Sequence, residues 1–174
     1  NLNTNRRLSQ WLRIARDGTV TISSGKVEIG QGIHTALAQI AADELDVSLA
    51  RMRIAQPSTA ASPNEGVTSG SLSVQDSGAA LRQASAEARA IYLALAAQRL
   101  GVSADVLTIE DGTFAGPGNL RTSYWELADD ALLEREATGS AKPKASAARH
   151  VAGREAQRRD LPDKVFGVPR FLHD

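Results

Sequence analysis

Gly25-Lys26-Val27-Glu28-Ile29-Gly30-Gln31-Gly32-Ile33-His34-Thr35 changes character halfway along. Its first part is polar and spaced by glycines. From Ile33 onward, Leu37, Ile40, Ala41 and Leu45 recur at helical spacing, with Thr35, Gln39 and Asp43 on another face. This periodicity predicts an amphipathic helix of about three turns, fed directly by a glycine loop. Upstream, Trp11 to Ile14 and Val20 to Ile22 alternate apolar with polar around Asp17-Gly18, a strong hairpin signal. Downstream, Met52 to Ile54 reads as a short strand. Pro57 to Gly70 is rich in Ser, Thr, Ala, Pro and Gly and reads as loop.

Val74 to Leu100 is predicted as the longest element, an alanine-rich helix with Leu81, Ala84, Ala88, Ile91 and Leu95 on one side and Gly101 as its stop. Asp111-Gly112 marks a second small hairpin between Val106–Ile109 and Thr113-Phe114. Ser123 with Glu126 fits a capping box for a short helix through Leu132. Beyond Ala137, Lys, Ala, Ser and Arg dominate, and bulky apolar groups occur only at Val165-Phe166 and Phe171-Leu172. Such a tail is expected to need other protein to lie on, because it buries too little to offset its ordering entropy. The expected fold is an α+β sandwich: two helices packed on a small β-sheet, with an extended C-terminal tail. Residues 1–136 form the domain, and 137–174 an extended linker towards a following one.

The 174 residues suffice for one modest domain, with 42% apolar and 23% charged residues. Twenty basic and twenty acidic residues cancel, so no bulk field draws the chain to nucleic acid or an anionic membrane. The absence of cysteine rules out disulfides, thiolate metal sites and thiol nucleophiles in this chain. No stretch approaches the roughly 20 apolar residues of a membrane span, and the first ten residues lack a signal-peptide core. Asn1 is not an initiator methionine, which leaves room for sequence upstream.

Two loops carry candidate chemistry. In Gly30-Gln31-Gly32 the glycines either make a tight turn into the helix or let backbone approach a bound group, with unpaired N–H donors at the helix start facing it. Gln31 offers a neutral donor and acceptor, and His34 and Thr35 stand in the first turn. Glu28 resembles a general base by position but suits an ion pair or hydrogen bond better. In Thr68-Ser69-Gly70-Ser71-Leu72-Ser73, hydroxyls and N–H groups before the long helix form a nest for a phosphate or polar heterocycle; alternatively Ser71 or Ser73 is simply its N-cap. Both loops share one design, which suggests one elongated anionic ligand between two helix starts. His34, His150 and His173 lack metal-ligand spacing, and no metal ligand is expected. Lys26 precedes Gly30 without a Gly-Lys-Ser/Thr phosphate loop, and neither loop has a Rossmann pattern. Arg149, Arg154, Arg158 and Arg159, diluted by Glu155 and Asp160, read as a solvated or inter-domain face.

The Gly25–Thr35 block followed by Gln39-Ile40-Ala41-Ala42-Asp43-Glu44-Leu45, then the 68–73 loop, Leu81-Arg82-Gln83-Ala84 and Asp160-Leu161-Pro162-Asp163-Lys164-Val165-Phe166-Gly167, resembles the large subunit of the xanthine dehydrogenase and aldehyde oxidase family. The isoquinoline 1-oxidoreductase and nicotinate dehydrogenase beta type is the nearest in pattern. The resemblance implies a bacterial molybdenum hydroxylase and a molybdopterin-binding domain, with molybdenum carried by molybdopterin cytosine dinucleotide. The implied contacts are Gly30, Gln31, Gly32, His34, Thr35, Gly70, Ser71, Leu72 and Ser73. The implied chemistry oxidises an N-heterocycle or aldehyde with oxygen from water. Electrons leave through iron–sulfur clusters in a small partner subunit, with a cytochrome as a candidate acceptor. The family's general-base glutamate is expected beyond residue 174, so no residue here is assigned a catalytic role. The chain alone is not expected to be active; it needs the remainder of the large subunit. A cytoplasmic location is favoured over a periplasmic one. The contrasting expectation is a non-catalytic domain that docks a partner in an oxidoreductase complex.

Overall fold

A computed structural model describes residues 2–169; Phe171, Leu172 and His173 lie outside the described residues. The first hairpin forms as expected. Strands β1 (Leu12–Ile14) and β2 (Val20–Ile22) pair antiparallel, with Leu12 opposite Ile22. At the turn, Asp17 Oδ1 accepts from the Thr19 N–H and hydroxyl, and Gly18 takes the left-handed backbone that the bend requires. Helix α1 (Ile33–Leu45) is the crossover to β3 (Met52–Ile54), which lies parallel to β2. Helix α2 (Ala79–Leu100) packs against α1. A second three-stranded sheet follows, β4 (Thr108–Glu110), β5 (Thr113–Ala115) and β6 (Arg121–Ser123), all antiparallel. The fold is thus α+β, with its sheet in two small pieces.

One core joins the layers. Ile14, Val20 and Met52 from the first sheet meet Leu37 and Leu45 of α1 and Leu81, Ala84 and Ala88 of α2. Phe114 of β5 and Tyr92 of α2 each set a ring edge-on to Tyr124, at 4.8 and 5.2 Å between centroids. Alanines on the buried side of α2 let the two helices approach closely, as their size suggests. The Arg51–Asp111 pair (2.8 Å) bridges the region before β3 to the second hairpin and holds the Asp111 carboxyl down at about 2.

Two helix boundaries differ from expectation. A π-helical turn, Ser73–Gly78, precedes α2. The short helix α3 covers Tyr124–Leu127, and a 3₁₀ turn resumes at Asp130–Leu133. Ser123 caps α3 by accepting from the Glu126 N–H at 3.2 Å, but the Glu126 carboxylate turns to Thr122 instead of closing the box.

The larger departure is the tail, which lies on the domain's own helices. The reason is that three buried carboxylates, which periodicity does not distinguish from surface groups, point at it. Glu87 accepts from the N–H groups of Thr138 (2.7 Å) and Gly139 (2.6 Å). Glu44, fully buried, accepts from the Lys144 N–H and from Arg82. Asp43 accepts from three successive N–H groups, His150, Val151 and Ala152, at 2.7–2.9 Å. Charge-assisted bonds of this kind are roughly twice as strong as neutral ones. They replace the apolar burial that the tail lacks. Helix α4 (Leu161–Val165) ends the described tail, with Val165 and Phe166 exposed.

Replacing Asp43 by alanine leaves three N–H groups without their acceptor and is expected to cost about 2–4 kcal/mol. Trypsin should then cut at Arg149 to Arg159 before the core unfolds. Burial pushes the Asp43 carboxyl up, but the N–H groups of Ala152, His150 and Val151 together hold it below the ordinary 3.8. Its contribution is therefore complete above that value and is lost as the pH falls below it. Proteolysis of the tail measured against pH should rise on the acid side and stay flat near neutrality.

Candidate functional site

Where the chain leaves β2 it has no ladder partner, so its backbone groups must bond elsewhere. Glu65 supplies the acceptor. Its Oε2 takes the Ser24 hydroxyl (3.0 Å), the Gly25 N–H (2.9 Å) and the Ser77 hydroxyl (2.9 Å). Lys26 is buried, and its ammonium donates to the carbonyls of Glu65 (2.7 Å) and Val67 (2.8 Å). These bonds lay residues 65–68 alongside 24–27. Gly25 is required for the contact: a Cβ there would stand 2.3 Å from the Pro63 carbonyl oxygen.

Val27 is the junction of the two loops. Its N–H donates to the Thr68 hydroxyl at 3.0 Å, and its carbonyl accepts from Gln31 Nε2 at 2.9 Å. Gln31 Oε1 in turn accepts from the Ile29 N–H at 2.7 Å. The amide is thus oriented by its own loop, on an exposed apex between Gly30 and Gly32. An amide oxygen has two lone pairs and an amide nitrogen two hydrogens. One of each is used here, so Gln31 retains one donor and one acceptor for another molecule.

The start of α1 is arranged differently from expectation. Two of its N–H groups, those of the Gly32 cap and His34, do not stand open: Glu28 Oε1 accepts from Gly30 (2.9 Å) and Gly32 (2.8 Å), and Oε2 from His34 (3.3 Å). Burial pushes the Glu28 carboxyl up, while the Gly32, His34 and Gly30 N–H groups hold it below the usual range. A carboxylate two residues before the glycines meets the unpaired donors and the positive end of the helix dipole at once. The cap residue Gly32 has φ +78°, which a side chain would strain.

Of the two further expected contacts, Thr35 is turned elsewhere. Thr35 is buried, and its hydroxyl accepts from the Arg159 N–H at 3.0 Å. His34 is half-buried and held below its usual value by burial, and it faces a cavity of about 520 Å³ with Glu28, Arg53, Arg159 and Asp160. In the second loop, Gly70 and Ser71 both adopt left-handed backbone (φ 64° and 59°), and both are exposed. The helical segment from Ser73 carries no side-chain cap, so neither Ser71 nor Ser73 serves as its N-cap. Leu72 is exposed, as are Val27, Ile29 and Val67.

Sequence reasoning missed Glu65, because an acid within a Pro/Ser-rich loop carries no periodic signal. It read Arg158 and Arg159 as part of a solvated or inter-domain face. Arg159 donates to the carbonyls of Met52 and Leu49. Arg158 pairs with Asp160 at 2.7 Å, lies 3.8 Å from Glu28 and stands over Gly32. They dock on the domain rather than forming a solvated face. Among the described residues, no group of three or more His, Asp or Glu side chains is placed to hold a metal ion, and no helix is long and apolar enough to cross a membrane.

Two small polar loops thus meet at Val27 in this α+β domain. The chain belongs to the molybdopterin cofactor-binding domain family, whose model matches residues 2–167. It is 36% identical over 169 residues to one of the subunits of nicotinate dehydrogenase from Pseudomonas putida, covering 97% of this chain and 14% of that protein. It is 30% identical over 197 residues to the beta chain of isoquinoline 1-oxidoreductase from Brevundimonas diminuta, covering 90% and 25%. Its fold matches a chain of Cu,Mo-CO dehydrogenase with a TM-score of 0.58 and 30% identity, over 67% of this chain and 15% of that one. The family resemblance drawn from the motifs is borne out. The chain spans between a seventh and a quarter of the length of these two curated relatives.

Gly25→Ala is expected to force the two loops apart, because the obstacle is backbone and cannot swing aside. A loss of about 1–3 kcal/mol in denaturant unfolding, with faster proteolysis between residues 57 and 70, is the expected result. An unchanged midpoint would show that the 63–65 segment yields freely.

Proposed function

We propose that this chain supplies two of the cofactor-facing loops in the large subunit of a molybdenum hydroxylase. The observation that supports the reading is the junction at Val27, which bonds both Thr68, the first residue of the second loop, and the Gln31 side chain. The cofactor is molybdopterin, in its cytosine dinucleotide form. Gln31 offers its remaining donor and acceptor to the pterin side. Gly30 and Gly32 permit close approach, and Gly70, Ser71, Leu72 and Ser73 line the second side. A non-glycine residue held at positive φ, as Ser71 is, is a strained conformation of the sort that persists where a site needs it. His34 is the further contact in the first turn, whereas the Thr35 hydroxyl is taken by the Arg159 N–H. When bound, the cofactor supplies two-electron oxidation at molybdenum; the residues of this chain bind and orient it without changing their charge.

Relatives named for nicotinate and isoquinoline support an N-heterocycle as substrate, an aldehyde being the other class, with oxygen taken from water. Iron–sulfur clusters in a small partner subunit carry electrons away, with a cytochrome as acceptor. The remainder of the large subunit completes the site, and residues 137–174 lead on from the 1–136 domain towards it, on the cytoplasmic side of the membrane. One observation favours a second reading, a partner-docking domain: Ile29 and Val67, 72% and 78% exposed, flank both loops.

Gln31→Ala, made in the complete protein with its partner subunits, separates the two. The first reading expects molybdenum content or heterocycle hydroxylation to fall roughly tenfold or more, in line with losing one or two buried hydrogen bonds, at unchanged thermal stability. Full occupancy and full turnover would favour docking.

A further inference from the structure

The carboxylate of Glu28 occupies the place at the start of α1 where a ligand anion would otherwise sit. Three N–H groups, Gly30, Gly32 and His34, already converge on it. Behind it stands Arg158, contributed by the tail, at 3.8 Å from Oε1 and paired in turn with Asp160, which Arg158 and Lys164 hold well below the carboxylate range. Glu28 is only slightly exposed, its side chain at 9%. The other charged groups bordering this cavity are Arg53, Arg159, Asp163 and Lys164. The Gly30–Gly32 segment has no regular hydrogen-bond ladder of its own. Its shape is therefore set by two agents, the Glu28 carboxylate on its inner side and the Gln31 amide on its outer side.

We infer that Glu28 is a positioning residue: it fixes the glycine loop through three backbone bonds so that Gln31 is presented outward, with Arg158 of the tail holding the carboxylate in place. This rests on the reading that the loop holds the cofactor, and it refines that reading in one respect. The first loop meets its ligand with a neutral amide, while the Gly30, Gly32 and His34 N–H groups serve the protein itself. The tail also acquires a role, since an arginine 126 positions after Gly32 closes the loop from above.

The test uses the complete protein in its complex and compares Glu28→Ala, Glu28→Gln and Arg158→Gln by hydrogen exchange of the 28–34 peptide, molybdenum content, and kcat and KM separately. Glu28→Ala should speed exchange of the Gly30, Gly32 and His34 amides roughly tenfold or more and lower molybdenum content. Glu28→Gln, which keeps one oxygen acceptor, should fall between alanine and the wild type, and Arg158→Gln should show a smaller rise at the same amides. If Glu28→Ala fails to fold, the near-isosteric Glu28→Gln decides by the same peptide. Unchanged exchange in a folded variant overturns the inference. So does faster exchange with full molybdenum content, provided that Gln31→Ala loses molybdenum; the cofactor reading then survives alone. If neither Glu28→Ala nor Gln31→Ala alters molybdenum content, the cofactor reading fails, and the inference with it.

Discussion

Glu65 Oε2 receives three hydrogen bonds, from the Ser24 hydroxyl, the Gly25 N–H and the Ser77 hydroxyl. That one oxygen ties the end of β2, the long 57–70 loop and the segment entering α2 into a single rigid corner. The two candidate loops owe their proximity to this corner, because Val27 and Thr68 meet only when residues 24–27 and 65–68 already run side by side. Hydrophobic packing brings α1 against α2, but packing is non-directional and does not set the register of two irregular segments. A carboxylate with converging donors does.

The same device recurs wherever the chain departs from helix or strand. Glu28 serves the glycine loop; Asp43, Glu44 and Glu87 serve the tail. In the tail an acid on a helix accepts main-chain N–H groups from the segment crossing it, whereas Glu28 accepts those of the residues that follow it. Backbone donors are obligatory and evenly spaced, so a carboxylate fixes a stretch of chain whatever its side chains are. This is how a tail rich in Ala, Lys, Ser and Arg becomes ordered without burying much apolar surface.

The consequence for the site is a division of labour. Apolar groups form the wall behind the loops: Ile33 and Leu37 of α1 sit in the core. Carboxylates set the loop shapes. What remains at the surface is polar and neutral, Gln31 on one side and Gly70-Ser71 on the other, flanked by exposed Val27, Ile29, Val67 and Leu72. Such an edge suits a partly polar heterocycle covered by further protein. It agrees with a chain that spans only a fraction of the relatives it matches.

Much of this was legible in the residues alone. Alternation around Asp17-Gly18, the 3.6-residue period from Ile33 and the alanine-rich run after Val74 reflect short-range geometry, which a linear pattern records faithfully. The glycine loop and the small-residue loop were visible for the same reason, as was the family to which their order points. Tertiary structure alone decided where the donors at the start of α1 go, that Thr35 turns to the tail, and that the tail folds back at all. The tail folds back on carboxylates that meet backbone N–H groups 51 to 109 positions away, the Thr35 hydroxyl accepts one 124 positions away, and Glu28 takes donors two to six residues ahead of it; a backbone donor is the same at every residue. Its partner therefore leaves no trace in the sequence.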